Sequence, residues 1–405
     1  MPRLLQINTT LGRGSTGKIT KVISRQAQLC GWECFIMHGS RYVGDSDGHS
    51  YQVSHKGSEF LHFILSRFLD RHGLGSYIQT KKLIKKIKEL HPDIVHIHNI
   101  HGYYVNYKLL LSFLAKYNYP TVVTMHDFWL ITGHCAYINK KCDKWIYGCG
   151  NCPRLRDYPS AIIDNSKRNW LVKSKLFSLF GVDSLFVVPV SKWLERYVRK
   201  SYLKGANITC IQNGVDTSIF KPYNGEHTNL WKKINWNKYT IITVADKWTN
   251  ANGFEDVIRL SKLLPHDMQI VMVGLSDYQL QELPTNIIGV RHTQDISQLV
   301  ELYTSSDVLF NASTEVTFGL VTAEAMACGT SAIVFKGTAG EEIIDEKTGF
   351  AISDITEVPN LVYLLRVNMN ERRTLCRKRI LEHFDSSKQY SKYISLYNDI
   401  LGIKM

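Results

Sequence analysis

Short runs of β-forming residues alternate with longer amphipathic stretches along this chain of 405 residues, and the alternation restarts near residue 240. Alternation of this kind predicts parallel sheets that are covered by helices. A chain of this length also exceeds what one hydrophobic core usually supports. The predicted fold class is therefore α/β, with two doubly wound Rossmann-like domains that face an interdomain cleft. We expect strands at 4–8, 34–37, 94–98, 121–125 and 185–190, and again at 240–245, 269–273, 287–291, 308–311 and 332–335.

A polar, turn-rich stretch, Pro222-Tyr-Asn-Gly-Glu-His-Thr-Asn, lies between the two halves and is typical of a linker. We expect a first domain over residues 1–220, which includes a cysteine-rich loop at 134–153. A second domain is expected over residues 221–385. Residues 386–405 are predicted to contain a helix that packs back onto the first domain.

Composition limits the class of protein and its partners. Hydrophobic residues make up 44% and charged residues 21%, which is typical of a globular protein and excludes a disordered chain. Lys and Arg exceed Asp and Glu by 13, a surplus that favours anionic partners. No apolar run approaches the roughly 20 residues that span a bilayer, and the N-terminus becomes polar too early for a signal peptide. We therefore expect a cytoplasmic protein.

The stretch Gly12-Arg-Gly-Ser-Thr-Gly17 follows the first predicted strand and precedes a helix that Ser15 or Thr16 is expected to cap. Glycines in such a loop let backbone amides approach phosphate oxygens. A nicotinamide site would also need an acidic residue after the second strand, where Arg41 stands instead and would suit a 2′-phosphate. Three interpretations stay open: an NAD(P) site, a tight turn without a ligand, and a loop that faces the cleft.

The region from Asp307 to Ser331 carries the strongest signal in the second half. A buried strand at 308–311 leads through a loop into Phe318-Gly-Leu-Val321, which begins a helix that Gly329 ends. Backbone amides in the first turn of such a helix form an anion site. Glu324 lies one turn further in, where its carboxylate can accept hydrogen bonds from the hydroxyls of a ribose.

This region resembles the signature of the family-four retaining glycosyltransferases, which have the GT-B fold. The resemblance extends to Asn213-Gly-Val-Asp216, to Thr124-Met-His-Asp127 at a strand end, and to the glycine loop. The segment from His126 to Pro153 is similar to a bacterial subgroup that builds capsule, colanic-acid-like and O-antigen polysaccharides. The resemblance implies transfer of a sugar from a nucleotide-diphosphate sugar to a hydroxyl of a growing, lipid-linked polysaccharide, with retention of anomeric configuration.

The resemblance also implies a set of site residues. His126 is expected to orient the donor sugar, and Glu315 is the second catalytic candidate. Amides and cations can stabilise a departing diphosphate without a divalent ion, so we expect no cofactor beyond the nucleotide-sugar co-substrate and activity in the presence of a chelator. The donor is expected to contact Gly14, Lys247, Asn252, Phe318, Gly319, Leu320, Val321 and Glu324.

Two positions depart from the family pattern. Val316 stands where the family has the first of two carboxylates, and Glu315, one residue earlier, needs a shifted loop to replace it. Lys247 stands at the place of a diphosphate-binding Arg, but Asn252 replaces the Lys that follows in the family. Each lost charge-assisted bond costs on the order of 1.5–3 kcal/mol. Arg291 is a basic residue that could supply the missing charge.

Cys135, Cys142, Cys149 and Cys152 lie close together in the sequence, and the last pair has the spacing of a zinc knuckle. Three interpretations stay open for this cluster: a structural zinc site, unligated thiols, and two disulfides. His96, His98 and His101 form a looser group, for which a structural role is expected rather than a metal.

A lysine-rich helix and an aromatic stretch in the first half suggest contact with an anionic membrane, where a lipid-linked acceptor would lie. The alternative is a solvated lysine face beside an ordinary core. No RNA-binding motif or DNA-reading helix is recognisable, so a nucleic acid partner is not expected. The aromatic stretch is Phe60–Phe68, and the lysines of the helix are Lys81, Lys82, Lys85, Lys86 and Lys88.

Several other functions stay open beside the glycosyltransferase. A nucleotide-sugar epimerase or a sugar phosphorylase would share the two-domain fold, and the epimerase would convert the donor without an acceptor. A catalytically degraded nucleotide-sugar-binding protein is the third alternative, because Val316 and Asn252 can mark lost catalysis. An NAD(P)-dependent oxidoreductase is less favoured because the second strand lacks the acidic residue.

Overall fold

The computed structural model describes residues 1–42, 49–138, 142–225 and 231–403. The chain forms two compact units, of which unit 1 comprises Met1–Ile211 with Tyr390–Met405 and unit 2 comprises Gln212–Gln389. Each unit contains one sheet of parallel strands, which confirms the predicted α/β class. Residues 226–229 of the predicted linker lie outside the described residues. Among the described helices, none is long and apolar enough to cross a membrane.

The sheet of unit 1 has seven strands in the order β3-β2-β1-β4-β5-β6-β7. The sequence predicts five of them and misses β3 and β7, since segments of three and two residues show no periodicity. The strands are β1 (Arg3–Leu11), β2 (Glu33–Tyr42), β3 (Ser50–Gln52), β4 (Ile94–Ile97), β5 (Thr121–Met125), β6 (Leu185–Pro189) and β7 (Asn207–Ile208).

Helices follow most of these strands. Helix α1 begins at Gly14 with Arg13 as its N-cap and no side-chain cap, so the predicted cap at Ser15 or Thr16 is wrong. Gly12 and Gly14 have φ of 66° and 65°, and this left-handed turn starts the helix before either hydroxyl. The helices are α1 (Gly14–Leu29), α2 (Lys56–Leu69), α3 (Tyr77–Leu90), α4 (Tyr107–Lys116), α5 (Lys144–Tyr147), α6 (Ser166–Phe177) and α7 (Lys192–Val198).

The sheet of unit 2 has six strands in the order β10-β9-β8-β11-β12-β13. The sequence misses only β13 among them. The strands are β8 (Tyr239–Val244), β9 (Met268–Val273), β10 (Ile287–Val290), β11 (Val308–Asn311), β12 (Ser331–Phe335) and β13 (Gly349–Ile352). The helices are α8 (Phe254–Ser261), α9 (Asp277–Gln281), α10 (Ile296–Ser305), α11 (Leu320–Ala327), α12 (Val358–Arg366) and α13 (Met369–His383).

The last helix, α14 (Ser386–Leu401), supplies tyrosines to the core of unit 1. Tyr390, Tyr393 and Tyr397 are buried there with residues of β1, β4 and β5. The hydroxyl of Tyr397 lies 2.6 Å from Nδ1 of His96, and the hydroxyl of Tyr393 lies 2.9 Å from Oγ1 of Thr124. These tyrosines therefore satisfy polar groups of the sheet while they bury apolar area.

Strand order places the candidate site residues. The order reverses between β1 and β4 in unit 1, and between β8 and β11 in unit 2. In open parallel sheets, ligands bind beyond the carboxyl ends of the strands at such a reversal. The glycine loop follows β1, and the region around Gly319 follows β11. Both predicted loops thus lie where this topology favours a ligand.

Candidate active site

In unit 2, the amino end of α11 lies beyond the carboxyl end of β11. Gly319 is the N-cap with a φ of 99°, a conformation that glycine adopts without the usual steric cost. Asn311, the last residue of β11, donates from Nδ2 to Oγ1 of Thr322 at 3.0 Å and so connects the strand end to the first helical turn. The first amides of any α-helix lack intrahelical partners and can bind an anion. The predicted helix start at Gly319–Leu320 is confirmed.

Glu324 lies one turn into α11 and is half-buried. Its Oε2 accepts a hydrogen bond from the hydroxyl of Tyr303 at 3.3 Å. Tyr303 is fully buried on α10, and burial together with Glu324 raises its pKa well above 10, so this hydroxyl remains a donor. The carboxylate of Glu324 is therefore oriented by the protein, in a position one turn behind the helix-end amides.

The residues before α11 differ in what they contact. Phe318 is buried, with its ring centroid 5.9 Å from that of Phe384, so it anchors the loop in the core. The carbonyl of Val316 accepts from the amide of Ala339 at 3.2 Å. Glu315 is half-buried, and its amide donates to Oγ of Ser313. The replacement of the family carboxylate by Glu315 stays a prediction.

Lys247 and Arg291 line one open cleft of about 660 Å³ at the ends of β8, β9 and β10. Both side chains are exposed, and Nε of Arg291 lies 2.5 Å from Oδ1 of Asp277. The structure thus brings the predicted diphosphate cation and the predicted substitute cation to the same cleft. Asn252 instead donates from Nδ2 to the carbonyl of Lys247 at 2.6 Å, which stabilises the loop.

Gly253 explains how this loop approaches the strand end so closely. Its φ is 81°, and a Cβ at this position would lie 2.2 Å from the carbonyl oxygen of Ala312. No side chain fits at that distance. The loop that carries Lys247 therefore packs directly against the chain that follows β11.

In unit 1, His98 follows β4 and His126 follows β5, and the two side chains are in contact. Nδ1 of His98 lies 3.2 Å from Nε2 of His126. Both residues line a small cavity together with His101 and Asp127. Burial lowers the pKa of His126 to about 4, so its ring is neutral at physiological pH. The predicted catalytic histidine therefore belongs to a group of histidines.

His101 and Asp127 form a pair that the sequence did not reveal as such. Nε2 of His101 lies 2.7 Å from Oδ2 of Asp127, and Oδ1 of Asp127 accepts from the amide of Trp129 at 2.8 Å. Burial raises the pKa of Asp127, but His101 and these hydrogen bonds outweigh burial and hold it below its usual value. The sequence carried one indication of this contact, because His101 comes after β4 and Asp127 after β5, and these strands are neighbours in the sheet.

The glycine loop lies at the same edge of this sheet, because β1 is the neighbour of β4. Gly14 is the first residue of α1. At Gly17 a Cβ would lie 2.8 Å from Oγ1 of Thr10, so the loop folds closely over the end of β1. Backbone amides at this turn can approach a ligand without interference from side chains.

The cysteines of the loop surround one small cavity, but the predicted zinc site finds no support. Sγ of Cys135 lies 4.0 Å from Sγ of Cys152, and the amide of Gly133 donates to Sγ of Cys149. A hydrogen bond from Cys135 lowers the pKa of Cys152 to about 7. Within the described ranges, no group of three or more His, Cys, Asp or Glu side chains is placed to hold a metal ion. The described cysteines also form no disulfide.

Proteins of known structure share this architecture. Sucrose-phosphate synthase from Thermosynechococcus elongatus is 16% identical with a TM-score of 0.71, and the alignment covers 100% of both chains. The Anabaena protein Alr3699/HepE, solved in complex with UDP-glucose, is 13% identical with a TM-score of 0.64 over 98% of this chain and 99% of that chain. At these identities the likeness shows the fold.

Sequence comparison identifies the family. Escherichia coli (strain K12) WcaC, which is assigned to colanic acid biosynthesis as a glycosyl transferase, is 21% identical over 98% of this chain and 100% of its own length. Residues 44–219 match the model of Glycosyltransferase Family 4, and residues 238–363 match that of Glycosyl transferases group 1. The chain therefore belongs to the GT-B glycosyltransferases, with a Family 4 domain followed by a group 1 domain.

Proposed function

We propose that this glycosyltransferase moves a sugar from a nucleotide-diphosphate sugar to a hydroxyl of a lipid-linked saccharide during assembly of a bacterial surface polysaccharide. We further propose retention of anomeric configuration and a site of action at the cytoplasmic face of the cell membrane. The observation that carries the proposal is the combination, in unit 2, of the α11 amino end with Glu324 oriented one turn behind it.

Two comparisons support the donor and the product class. UDP-glucose is bound in the Anabaena structure, which shares the fold. The relative that matches over its whole length is assigned to colanic acid biosynthesis. Both facts concern those proteins, and they make a nucleotide sugar and a surface polysaccharide the best-supported substrate classes for this chain.

Each proposed role follows from the chemistry of a departing diphosphate. Negative charge develops on the leaving group, and fixed donors that face it lower the barrier. The amides of Gly319, Leu320 and Val321 and the ammonium of Lys247 supply that positive potential, with Arg291 as the second cation. Glu324 accepts hydrogen bonds from the ribose. No divalent ion is required in this arrangement, and transfer should persist in EDTA.

The remaining candidates act on the sugar. His126 binds a hydroxyl of the transferred sugar, and Gly14 gives the backbone of unit 1 room to approach the donor. Glu315 takes the role of the family carboxylate whose position Val316 occupies in this chain. Glu315→Gln should therefore lower turnover, whereas Glu346→Gln, at an exposed position of the same unit, should not.

A thermal-shift panel of UDP, GDP, ADP and their hexose conjugates tests the donor site, because a ligand that binds only the folded state stabilises it more as its concentration exceeds its Kd. One base series should raise the melting temperature more than the other two. Glu324→Gln should reduce the shift and Glu346→Gln should leave it unchanged. Absence of a shift with every nucleotide would overturn the proposal, and conversion of the donor without an acceptor would favour the epimerase instead.

The lipid-linked acceptor is supported by an exposed apolar face on α2. Phe60, Leu61 and Phe68 are 61%, 65% and 53% exposed, although large apolar side chains are usually buried. The amides of Ile162 and Ile163 donate to carbonyls at the end of α2, and both of these side chains are also exposed. We call this surface the α2 apolar face. Exposed lysines of α3, including Lys81, Lys82 and Lys85, add positive charge to the same unit.

Aromatic and basic residues together are typical of peripheral membrane surfaces. Co-sedimentation with phosphatidylglycerol vesicles at low salt should exceed that with phosphatidylcholine vesicles. The double variant Phe60→Ser/Leu61→Ser should lose binding. Leu29→Ser, at an 80% exposed leucine on α1, is the matched control and should bind normally. Equal binding by both variants would remove the membrane role from α2.

A further inference from the structure

A chain of buried hydrogen bonds leads from β1 to His126. Nε2 of Gln6 donates to the carbonyl of Thr20 at 3.0 Å, which turns its Oε1 toward His98, at 2.9 Å from Nε2 of that ring. Nδ1 of His98 lies 3.2 Å from Nε2 of His126. Gln6 and His98 are 0% and 2% exposed. We call these three residues the Gln6–His98–His126 chain.

The donor and acceptor atoms of this chain can be assigned one after another, starting from Gln6 and ending at His126. The oxygen of Gln6 can only accept, so Nε2 of His98 carries a hydrogen. Burial keeps His98 neutral by lowering its pKa well below 6.5, and a neutral imidazole has a single N–H. Nδ1 of His98 is therefore an acceptor, and the hydrogen between the two rings belongs to Nε2 of His126.

We propose that Gln6 and His98 are positioning residues that hold His126 as its Nε2–H tautomer, so that Nδ1 of His126 accepts a hydrogen bond from a hydroxyl of the bound sugar. This inference rests on the proposed role of His126 in sugar binding. It also restricts the group that the sugar presents at this place. A hydroxyl donates to Nδ1, whereas a carboxylate is an acceptor like Nδ1 and would be repelled by its lone pair. The group of the sugar that faces Nδ1 of His126 is thus a hydroxyl rather than a carboxylate.

The first test reads the tautomer itself, without any substrate. Long-range ¹H–¹⁵N correlation spectra of the full-length protein with labelled histidine distinguish the two neutral tautomers, and the His126→Gln variant identifies the His126 signals. The wild type should show Nε2–H. Gln6→Glu places an anion beside His98, which favours a charged ring that donates from Nδ1, and so should shift His126 toward the Nδ1–H tautomer. A wild-type Nδ1–H tautomer would overturn the inference.

The second test is kinetic and has a matched control. Gln6→Met should lower kcat about tenfold with little change in KM, measured as hydrolysis of the nucleotide sugar that gives the largest thermal shift. Gln269→Met alters a buried glutamine of β9 whose Nε2 also donates to a backbone carbonyl, and it should leave kcat within about twofold.

The outcomes separate this inference from the donor-site proposal. Loss of nucleotide binding would contradict the proposed function, whereas intact binding with the wrong tautomer would contradict only the positioning role. An equal effect of Gln6→Met and Gln269→Met on kcat would also overturn the inference, since it would show a loss of general stability.

Discussion

Both units contain a parallel sheet, but the residues near the point where the strand order reverses differ between them. In unit 1, histidines stand at the ends of β4 and β5, and the buried polar residues there include His96, His98 and Gln6. In unit 2, the corresponding region contains a glycine N-cap, helix-end amides and the oriented carboxylate of Glu324. The histidines described in unit 2, namely His266, His292 and His383, are all exposed.

This difference shows two ways to make a fixed binding geometry. Helix-end amides are oriented by the backbone, so their charge does not change with pH and their position depends on few side chains. Histidines gain orientation only from partners, and they stay neutral only while they are buried. Unit 1 should therefore be more sensitive than unit 2 to acid and to the loss of single hydrogen-bond partners.

The largest expected effect is the response of unit 1 to acid. Burial lowers the pKa of His72, His96 and His98 well below 6.5, while the unfolded chain titrates near that value. At a pH between the pKa of these histidines in the folded protein and their pKa in the unfolded chain, the unfolded state binds more protons. Stability that is present above pH 6.5 is therefore lost as the pH falls. We expect a loss on the order of 1 kcal/mol per pH unit for each of these histidines.

Hydrogen exchange between about pH 7.5 and 5.5, corrected for the intrinsic exchange rate, measures this difference by region. Protection in β4 should fall more than protection in β9, which serves as an internal control because unit 2 has no buried histidine among its described residues. An equal decline in both strands would contradict the comparison.

The next largest effect is expected for His134→Leu. Nδ1 of His134 lies 2.6 Å from Oδ1 of Asp70, and both side chains are almost fully buried. The variant removes a polar partner from a buried carboxylate and should lower the free energy of unfolding by about 3 kcal/mol in a urea titration. Ile270→Val in β9 should cost only about 1 kcal/mol.

A double variant makes that test sharper. Asp70→Asn combined with His134→Leu should recover part of the stability, because no buried charge is left without its partner. A double variant that is less stable than His134→Leu alone would show that the pair is not the source of the loss.

A smaller effect is expected on turnover when each unit loses its proposed site residue. His126→Ala and Glu324→Ala should each reduce turnover tenfold or more, which is roughly 1.4 kcal/mol of barrier. The loss in Glu324→Ala should be accompanied by weaker donor binding, whereas His126→Ala should act mainly on kcat. Near-normal steady-state rates in both folded variants would remove these assignments, and Glu346→Ala is the control.

The smallest effect is expected for Tyr303→Phe, which removes the hydroxyl 3.3 Å from Glu324. One hydrogen bond contributes about 1 kcal/mol, so the Kd for the preferred nucleoside diphosphate should rise about threefold to fivefold. Isothermal titration calorimetry measures the change. An unchanged Kd would mean that Glu324 is oriented without Tyr303, and unit 2 would then depend even less on side-chain partners.

The site in unit 2 was more predictable than the site in unit 1, and the reason is its locality. Gly319, Leu320 and Glu324 lie on one short continuous segment, so a single motif predicts the helix start and the carboxylate behind it. His126 was predicted from the resemblance of its strand end to the family motif. Its link to Gln6 runs through His98, which is 92 positions from Gln6 in the sequence. Of the three interpretations that cysteine spacing left open, the described geometry does not support the zinc site, because spacing alone does not determine where thiols point.

Residue order alone predicted two parallel α/β units, since periodicity and glycine-containing turns act over a few neighbouring residues. The GT-B family was predicted from the resemblance of the motifs to those of that family. Strand order, the contact of His98 with His126 and the His101–Asp127 pair were decided by the tertiary structure. Those contacts join residues from separate strand ends, and which ends become neighbours depends on how the whole sheet assembles.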